Sequence, residues 1–82
     1  MKILITIEVP AITSQFDAWL PTSLKIKELA PLITKAVEEL SEHTYVSSGA
    51  EVICYKEGGI TLQPQYTLLH YEISTGDHLM VL

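Results

Sequence analysis

The chain has 82 residues, of which 48% are hydrophobic, and it carries a net charge of −5 at pH 7. This length predicts one small domain, and this hydrophobic content excludes an intrinsically disordered chain. Five basic residues against ten acidic residues argue against binding to nucleic acid or to an anionic membrane, because both surfaces attract clusters of positive charge.

Two strands are predicted at the start of the chain. The segment "KILITIEV" (Lys2–Val9) alternates, and a period of two predicts a strand with one face on a core. Its inward side chains are Ile3, Ile5, Ile7 and Val9. The run is too short for a membrane span of ~20 residues or for a signal sequence. Pro10 ends it, and "PAITS" leads to a second alternating segment, Gln15–Leu20, with Phe16, Ala18 and Leu20 directed inward.

A helix is predicted next. After the strand-breaking segment Pro21–Ser23, the apolar residues recur at spacings of three and four, which is typical of one helical face. The stripe predicts a helix at about 26–40 and consists of Ile26, Leu29, Ile33, Val37 and Leu40. Pro31 lies inside this helix and removes one of its hydrogen bonds. Either the helix kinks there or its first turn is irregular.

The second half of the chain has shorter elements. The irregular segment Gln63–Tyr71 contributes one core residue, Leu68, and the glycines of Lys56–Gly59 predict a turn. The sequence also predicts a polar loop at Ser41–Ala50 and three strands, at Glu51–Tyr55, Ile60–Leu62 and Leu79–Leu82.

The predicted element order is β-β-α-β-β-β in a single domain, residues 1–82. The last strand has no hairpin partner, so the simplest closure places it parallel to the first strand, at the centre of the sheet. The fold class is therefore α+β, with one helix packed across one face of a mixed sheet of four to five strands.

This order is similar to that of the β-grasp, the ubiquitin fold, and one segment carries the resemblance in detail. "TLLHYEISTGDHLMVL" resembles the closing segment of ubiquitin. The residues at matching spacings are Thr67, Leu68, Tyr71, Ile73, Leu79 and Val81.

Two further motifs resemble one branch of this superfamily. The pair Gly76-Asp77 precedes the last strand, and "FDAWLPTSLKIKELAPLI" contains Leu20-Pro21 followed by a helix with Glu-Leu-x-Pro, which includes Pro31. Both are similar to the YukD/EsaB-like ubiquitin-like proteins of bacterial type VII secretion, a group that includes the N-terminal domain of EccD. In that group the proline in the helix is a family feature.

The resemblance implies a non-enzymatic adaptor or regulatory component of a type VII secretion system. It implies protein partners among the secretion components, no cofactor, no nucleic acid and no direct membrane insertion. It places the protein in the cytoplasm or at the cytoplasmic side of a membrane secretion complex. The chain ends at Leu82 without the Gly-Gly tail that ubiquitin uses, so we expect docking and no conjugation. The alternatives are a sulfur-carrier-like β-grasp protein without its tail, and a generic ubiquitin-like interaction or dimerisation domain.

Reactive side chains are few. Cys54 is the single cysteine, which excludes a disulfide within the chain and favours a reducing compartment. His43, His70 and His78 show no ligand spacing, so we expect no metal site and no catalytic residue, and we expect His78 to be a solvent-facing turn residue. The acidic cluster around Glu38 is interpreted as a solvated helix end, with recognition of a basic partner as the alternative.

The outer face of the sheet, away from the helix, is the predicted partner-binding site. If the alternation holds, five apolar side chains from four neighbouring strands point outward and form one patch, rimmed by Thr6, Asp17 and Val52. They are Leu4, Trp19, Cys54, Met80 and Leu82. Such a patch favours a contact site or a homodimer interface, and ubiquitin-like domains typically bind partners through this face. The alternative is that Trp19 packs on Leu4 and the others are scattered surface residues.

Overall fold

In a computed structural model, which describes all residues 1–82, the chain forms a five-stranded mixed sheet and one α-helix. The elements are β1 (Lys2–Val9), a 3-10 turn (Pro10–Ile12), β2 (Ser14–Pro21), α1 (Ile26–Leu40), β3 (Ile53–Tyr55), β4 (Ile60–Thr61) and β5 (His78–Val81). The sheet order is β2-β1-β5-β3-β4. Strands β1 and β5 are parallel and the other neighbours are antiparallel, which confirms the predicted closure.

The core lies between α1 and one face of the sheet. Strand β1 buries every second side chain, as its alternation predicts. In the centre of the sheet Ile7 lies opposite Leu79 of β5, and both are fully buried. The helix covers them with Ile26, Leu29, Ile33 and Val37. Leu68 is also fully buried, so the predicted anchor of the irregular segment is confirmed.

The helix begins against the segment that precedes β5. The N–H groups of Ile26 and Lys27 donate to the carbonyls of Tyr66 (2.8 Å) and Pro64 (3.0 Å). These two contacts satisfy backbone donors that a helix start leaves without a partner, and no side-chain cap is present. The helix start is therefore fixed by tertiary contacts.

The proline does not interrupt the helix. Pro31 is the sixth helical residue, and α1 runs without a break from Ile26 to Leu40. The first turn is hydrogen bonded, because the Leu29 N–H donates to the Lys25 carbonyl at 2.9 Å. The predicted irregular first turn is therefore absent.

The apolar stripe of α1 is one residue shorter than predicted. Leu40 is 53% exposed, whereas Val37 is fully buried. Leu40 instead lines a surface groove with Ile12 and Phe16.

The short strands differ from the predicted bounds by one or two residues. Strand β3 begins at Ile53 and not at Glu51, and β5 covers His78–Val81. Glu51 is held outside the strand because its carboxylate accepts hydrogen bonds from the preceding loop, including one from Tyr45 Oη at 2.7 Å. The single helix, α1, has 15 residues and does not qualify as a membrane-spanning segment.

Candidate functional site: the outer face of the sheet

Two of the predicted site residues are neighbours at one end of the β1–β2 hairpin. Leu4 lies directly opposite Trp19, so their side chains lie side by side on the outer face. Trp19 is 63% exposed, and Leu4 is half-buried. The backbone N–H of Leu4 donates to Thr75 Oγ1 at 3.1 Å. This hydrogen bond connects this end of β1 to the turn before β5. We call Leu4 and Trp19 the Trp19 pair.

The other three predicted residues lie together across β5 and β3. Met80 is opposite Cys54, and both are half-buried. Leu82 exchanges two backbone hydrogen bonds with Val52, at 2.9 and 3.0 Å, so these two residues are also directly opposite. Leu82 is 58% exposed and Val52 is exposed as well. Val52, Cys54, Met80 and Leu82 form a second apolar area, which we call the Met80 group.

A polar row separates the Trp19 pair from the Met80 group. Thr6 lies opposite both Asp17 and His78, and Thr6 Oγ1 donates to Asp17 Oδ1 at 2.8 Å. Because Met80 lies beside Glu8, it is four residues further along β1 than Leu4, or about 13 Å. The five predicted residues therefore share one face but do not form one continuous apolar patch.

Charged side chains cross the centre of this face. Lys56 directly follows β3, and its Nζ lies 2.9 Å from Oε2 of Glu8 on β1. The ion pair therefore crosses over β5, which lies between these two strands. Nδ1 of His78 lies 2.6 Å from Glu57 Oε2, and the His78 N–H donates to the same carboxylate at 2.9 Å. Burial would raise the pKa of Glu57, but these bonds from His78 outweigh it and lower the pKa. His78 is thus the first residue of β5 and a partner of Glu57, which corrects its interpretation as a turn residue.

Sequence reasoning missed these charged and polar contacts. Glu8 and Lys56 are 48 positions apart, and Glu57 and His78 are 21 apart. Neither contact could be predicted from a short spacing in the sequence. Alternation alone predicted that Thr6 and Asp17 face outward, but only the strand register places them between the apolar residues.

The reactive side chains are dispersed. The Sγ atom of Cys54 lies 3.8 Å from Thr61 Oγ1, and no three His, Cys, Asp or Glu residues are placed to hold a metal ion. His70 stacks on Tyr66 with ring centroids 4.0 Å apart, and His43 lies in the loop after α1. What the outer face offers a partner is apolar contact area flanked by charged hydrogen-bonding groups.

The sequence matches the family described as "WXG100 protein secretion system (Wss), protein YukD" over residues 3–81. The chain belongs to the YukD family. This match confirms the predicted family and links the YukD-family chain to a type VII (WXG100) secretion system. No curated protein matches the chain.

Solved ubiquitin-like structures share the fold of this YukD-family chain. The ubiquitin-like domain of the type VII secretion protein EccD1 from Mycobacterium tuberculosis is 15% identical, with a TM-score of 0.78 over 100% of this chain and 98% of that one. The ubiquitin-like domain of EccD5 from Mycobacterium xenopi is 19% identical, with a TM-score of 0.72 over 100% and 93%. A ubiquitin-like domain from Arabidopsis thaliana is 22% identical, with a TM-score of 0.73 over 99% and 76%. The predicted β-grasp fold is confirmed.

Proposed function

We propose that this YukD-family chain is a non-enzymatic adaptor or regulatory component of its secretion system, which acts by docking to other secretion components and not by conjugation. Family membership supports the assignment to the secretion system. The uncovered outer face supports docking, because α1 packs on the opposite face and leaves Trp19 and Leu82 exposed. We place the protein in the cytoplasm, at or near the membrane complex.

The Met80 group and the Trp19 pair are the proposed contact areas. A tryptophan that becomes buried at an interface removes roughly 150–250 Å² of its own surface from water, and aromatic anchors of this kind often dominate binding energy. The ion pair between Lys56 and Glu8 and the bond between His78 and Glu57 lie between the two areas. They fix the orientation of a partner through complementary charge.

The test is secretion of WXG100 proteins by a host strain that lacks this gene and is complemented with variants. Met80→Glu and Trp19→Glu each place a carboxylate in one contact area, and we expect both to reduce secretion strongly at normal protein levels. Val46→Glu is the matched control, because Val46 is 72% exposed in the loop after α1. Normal secretion with both outer-face variants would contradict docking through this face.

Conjugation and self-association are separate outcomes. We expect an intact mass measurement from the host to find the free chain, and a covalent adduct on another protein would contradict the non-conjugating role. Sedimentation of the purified protein distinguishes a heterologous contact from a homodimer. Self-association that Met80→Glu abolishes would assign the outer face to a second copy.

A further inference from the structure

Strand β2 is an edge of the sheet, and its free backbone groups can be identified. The Thr22 N–H donates to the Met1 carbonyl at 2.9 Å, and Met1 and Thr22 continue the register in which Lys2 lies opposite Pro21. Hydrogen-bonded pairs alternate with non-bonded pairs in an antiparallel ladder, so every second residue of β2 bonds to β1. The residues whose N–H and C=O groups point outward, away from β1, are Gln15, Asp17 and Trp19.

This edge lacks most of the features that usually protect an edge strand from pairing, and its one charged side chain, Asp17, is hydrogen bonded to Thr6. Strand β2 has eight residues and contains no lysine. Its register with β1 is unbroken from Ser14 to Pro21, so there is no bulge, and its proline is the last residue. The opposite edge, β4, has only two residues. Long edges without lysine, bulge or internal proline accept a further strand more readily than edges that have them.

A groove of mixed polarity, lined by three apolar and four polar residues, runs beside this edge. It has a volume of about 320 Å³ and separates β2 from the end of α1. Ile12 and Phe16 are half-buried on its sheet side, and Leu40 is exposed on its helix side. A strand added to β2 directs alternate side chains to the two faces of the sheet, so one set of its side chains would enter this groove.

The electrostatics of the groove favour a positively charged occupant. Glu42 lines it, and the last turn of α1 contains no basic residue. The carboxyl end of a helix adds a partial negative charge of its own. None of the lining residues is a lysine, so Glu42 is the one charged residue that lines the groove.

We propose that β2 binds an extended, lysine- or arginine-rich segment of a partner protein as a sixth strand, with apolar side chains in the groove and cationic side chains near Glu42. Backbone hydrogen bonds supply affinity in such strand addition, and the side-chain positions supply specificity. A second copy of the chain is a poorer occupant, because each copy carries −5 and brings the same acidic groove. The β2 edge is distinct from the contact areas of the proposed function, apart from Trp19, whose side chain belongs to the outer face and whose backbone belongs to the edge.

The test is an NMR titration of the ¹⁵N-labelled protein with a capped eight-residue peptide, Val-Thr-Lys-Thr-Val-Thr-Lys-Thr, whose valines and lysines all face the groove side of the added strand. We expect saturable shifts of the outward amides of Gln15, Asp17 and Trp19 and of the groove residue Leu40. The same peptide with glutamate in place of lysine should bind at least about tenfold more weakly, since the cationic contacts are lost. Absence of shifts at these amides, or equal binding of the two peptides, would overturn the proposal.

Matched variants separate the backbone contribution from the charge contribution. Gln15→Pro removes an outward N–H and keeps the ladder with β1, a position where an edge strand tolerates proline. We expect it to weaken binding of the lysine-containing peptide by about tenfold or more, while Gln15→Ala stays within about twofold. Glu42→Lys should weaken binding more than Glu28→Lys, which makes the same charge change in the first turn of α1.

The same variants test the alternative occupant. If the unliganded protein self-associates in sedimentation and Gln15→Pro abolishes this, the edge pairs with a second copy and the proposal is wrong. Equal binding by Glu42→Lys and Glu28→Lys would contradict the charge argument even if Gln15→Pro fails to fold.

Discussion

At the scale of single residues, one carboxylate organises the loop between α1 and β3. Glu51 accepts hydrogen bonds from Tyr45 Oη at 2.7 Å, from the Ser48 N–H at 2.7 Å and from Ser47 Oγ at 2.8 Å. Burial would raise the pKa of Glu51, but these hydrogen bonds outweigh it and lower the pKa to about 2. Burial and the hydrogen bond to Glu51 raise the pKa of Tyr45 to about 12.

We therefore predict that Glu51→Gln lowers the free energy of unfolding by about 1–2 kcal/mol at pH 7, because hydrogen bonds to an ionised acceptor are lost. The pKa of Glu51 is lower in the folded state than in the unfolded chain. The stabilisation is thus present above about pH 4.3 and is lost as the pH falls toward about 2. Urea unfolding of both proteins at several pH values measures this difference.

The control for this prediction is Glu39→Gln, an exposed residue of α1, which should change the free energy of unfolding by less than about 0.5 kcal/mol. A difference between wild type and Glu51→Gln that persists unchanged at pH 2 would contradict the role assigned to the ionised carboxylate.

At the scale of elements, α1 has one buried face that ends before the helix does. Leu29 is 1% exposed and Leu40 is 53% exposed. We predict that Leu29→Ala lowers the free energy of unfolding by about 2–5 kcal/mol, since it leaves a cavity in the core. Leu40→Ala, the same change on the same helix, should cost less than about 1 kcal/mol. Chemical denaturation measures both, and equal losses would mean that the end of α1 packs as tightly as its middle.

The long elements could be predicted from the sequence because their signals are local. The alternation of Lys2–Val9 gave the bounds of β1, and the three-and-four spacing gave those of α1. The start of β3 could not be predicted, because Glu51 leaves the strand to accept bonds from loop residues that carry no periodic pattern. The same holds for Leu40, which continues the apolar stripe in the sequence but is 53% exposed because its surroundings are set by tertiary packing.

The candidate site could be predicted only in part for a related reason. Alternation within each strand correctly placed Leu4 and Met80 on the outer face. Whether they touch depends on the register between β1 and β5, in which Glu8 and not Leu4 lies beside Met80. That register joins residues about 70 positions apart and is set by packing in the core. The register between β1 and β5 cannot be predicted from the residue pattern of either strand alone.

At the scale of the whole molecule, stability should be concentrated where the chain's two ends meet. Strands β1 and β5 occupy the interior of the sheet, whereas β4 is a two-residue edge held only by β3. Ile7 and Leu79 are opposite one another in the core. Residues in such a centre become exposed only when the entire domain unfolds, whereas short edges open locally.

We predict that native-state hydrogen exchange will separate these two classes. The slowest amides of β1 and β5 should report the global free energy of unfolding, and amides of β4 should exchange through openings at least about 2 kcal/mol less costly. Leu79→Ala should lower the protection of β1 and β5 together by about 2–5 kcal/mol, because one cooperative unit contains both strands. The variant should lower the protection of β4 less than that of β1 and β5, since the local opening of β4 does not require the core to unfold. Independent responses of β1 and β5 would mean that their parallel pairing is not the cooperative centre of the fold.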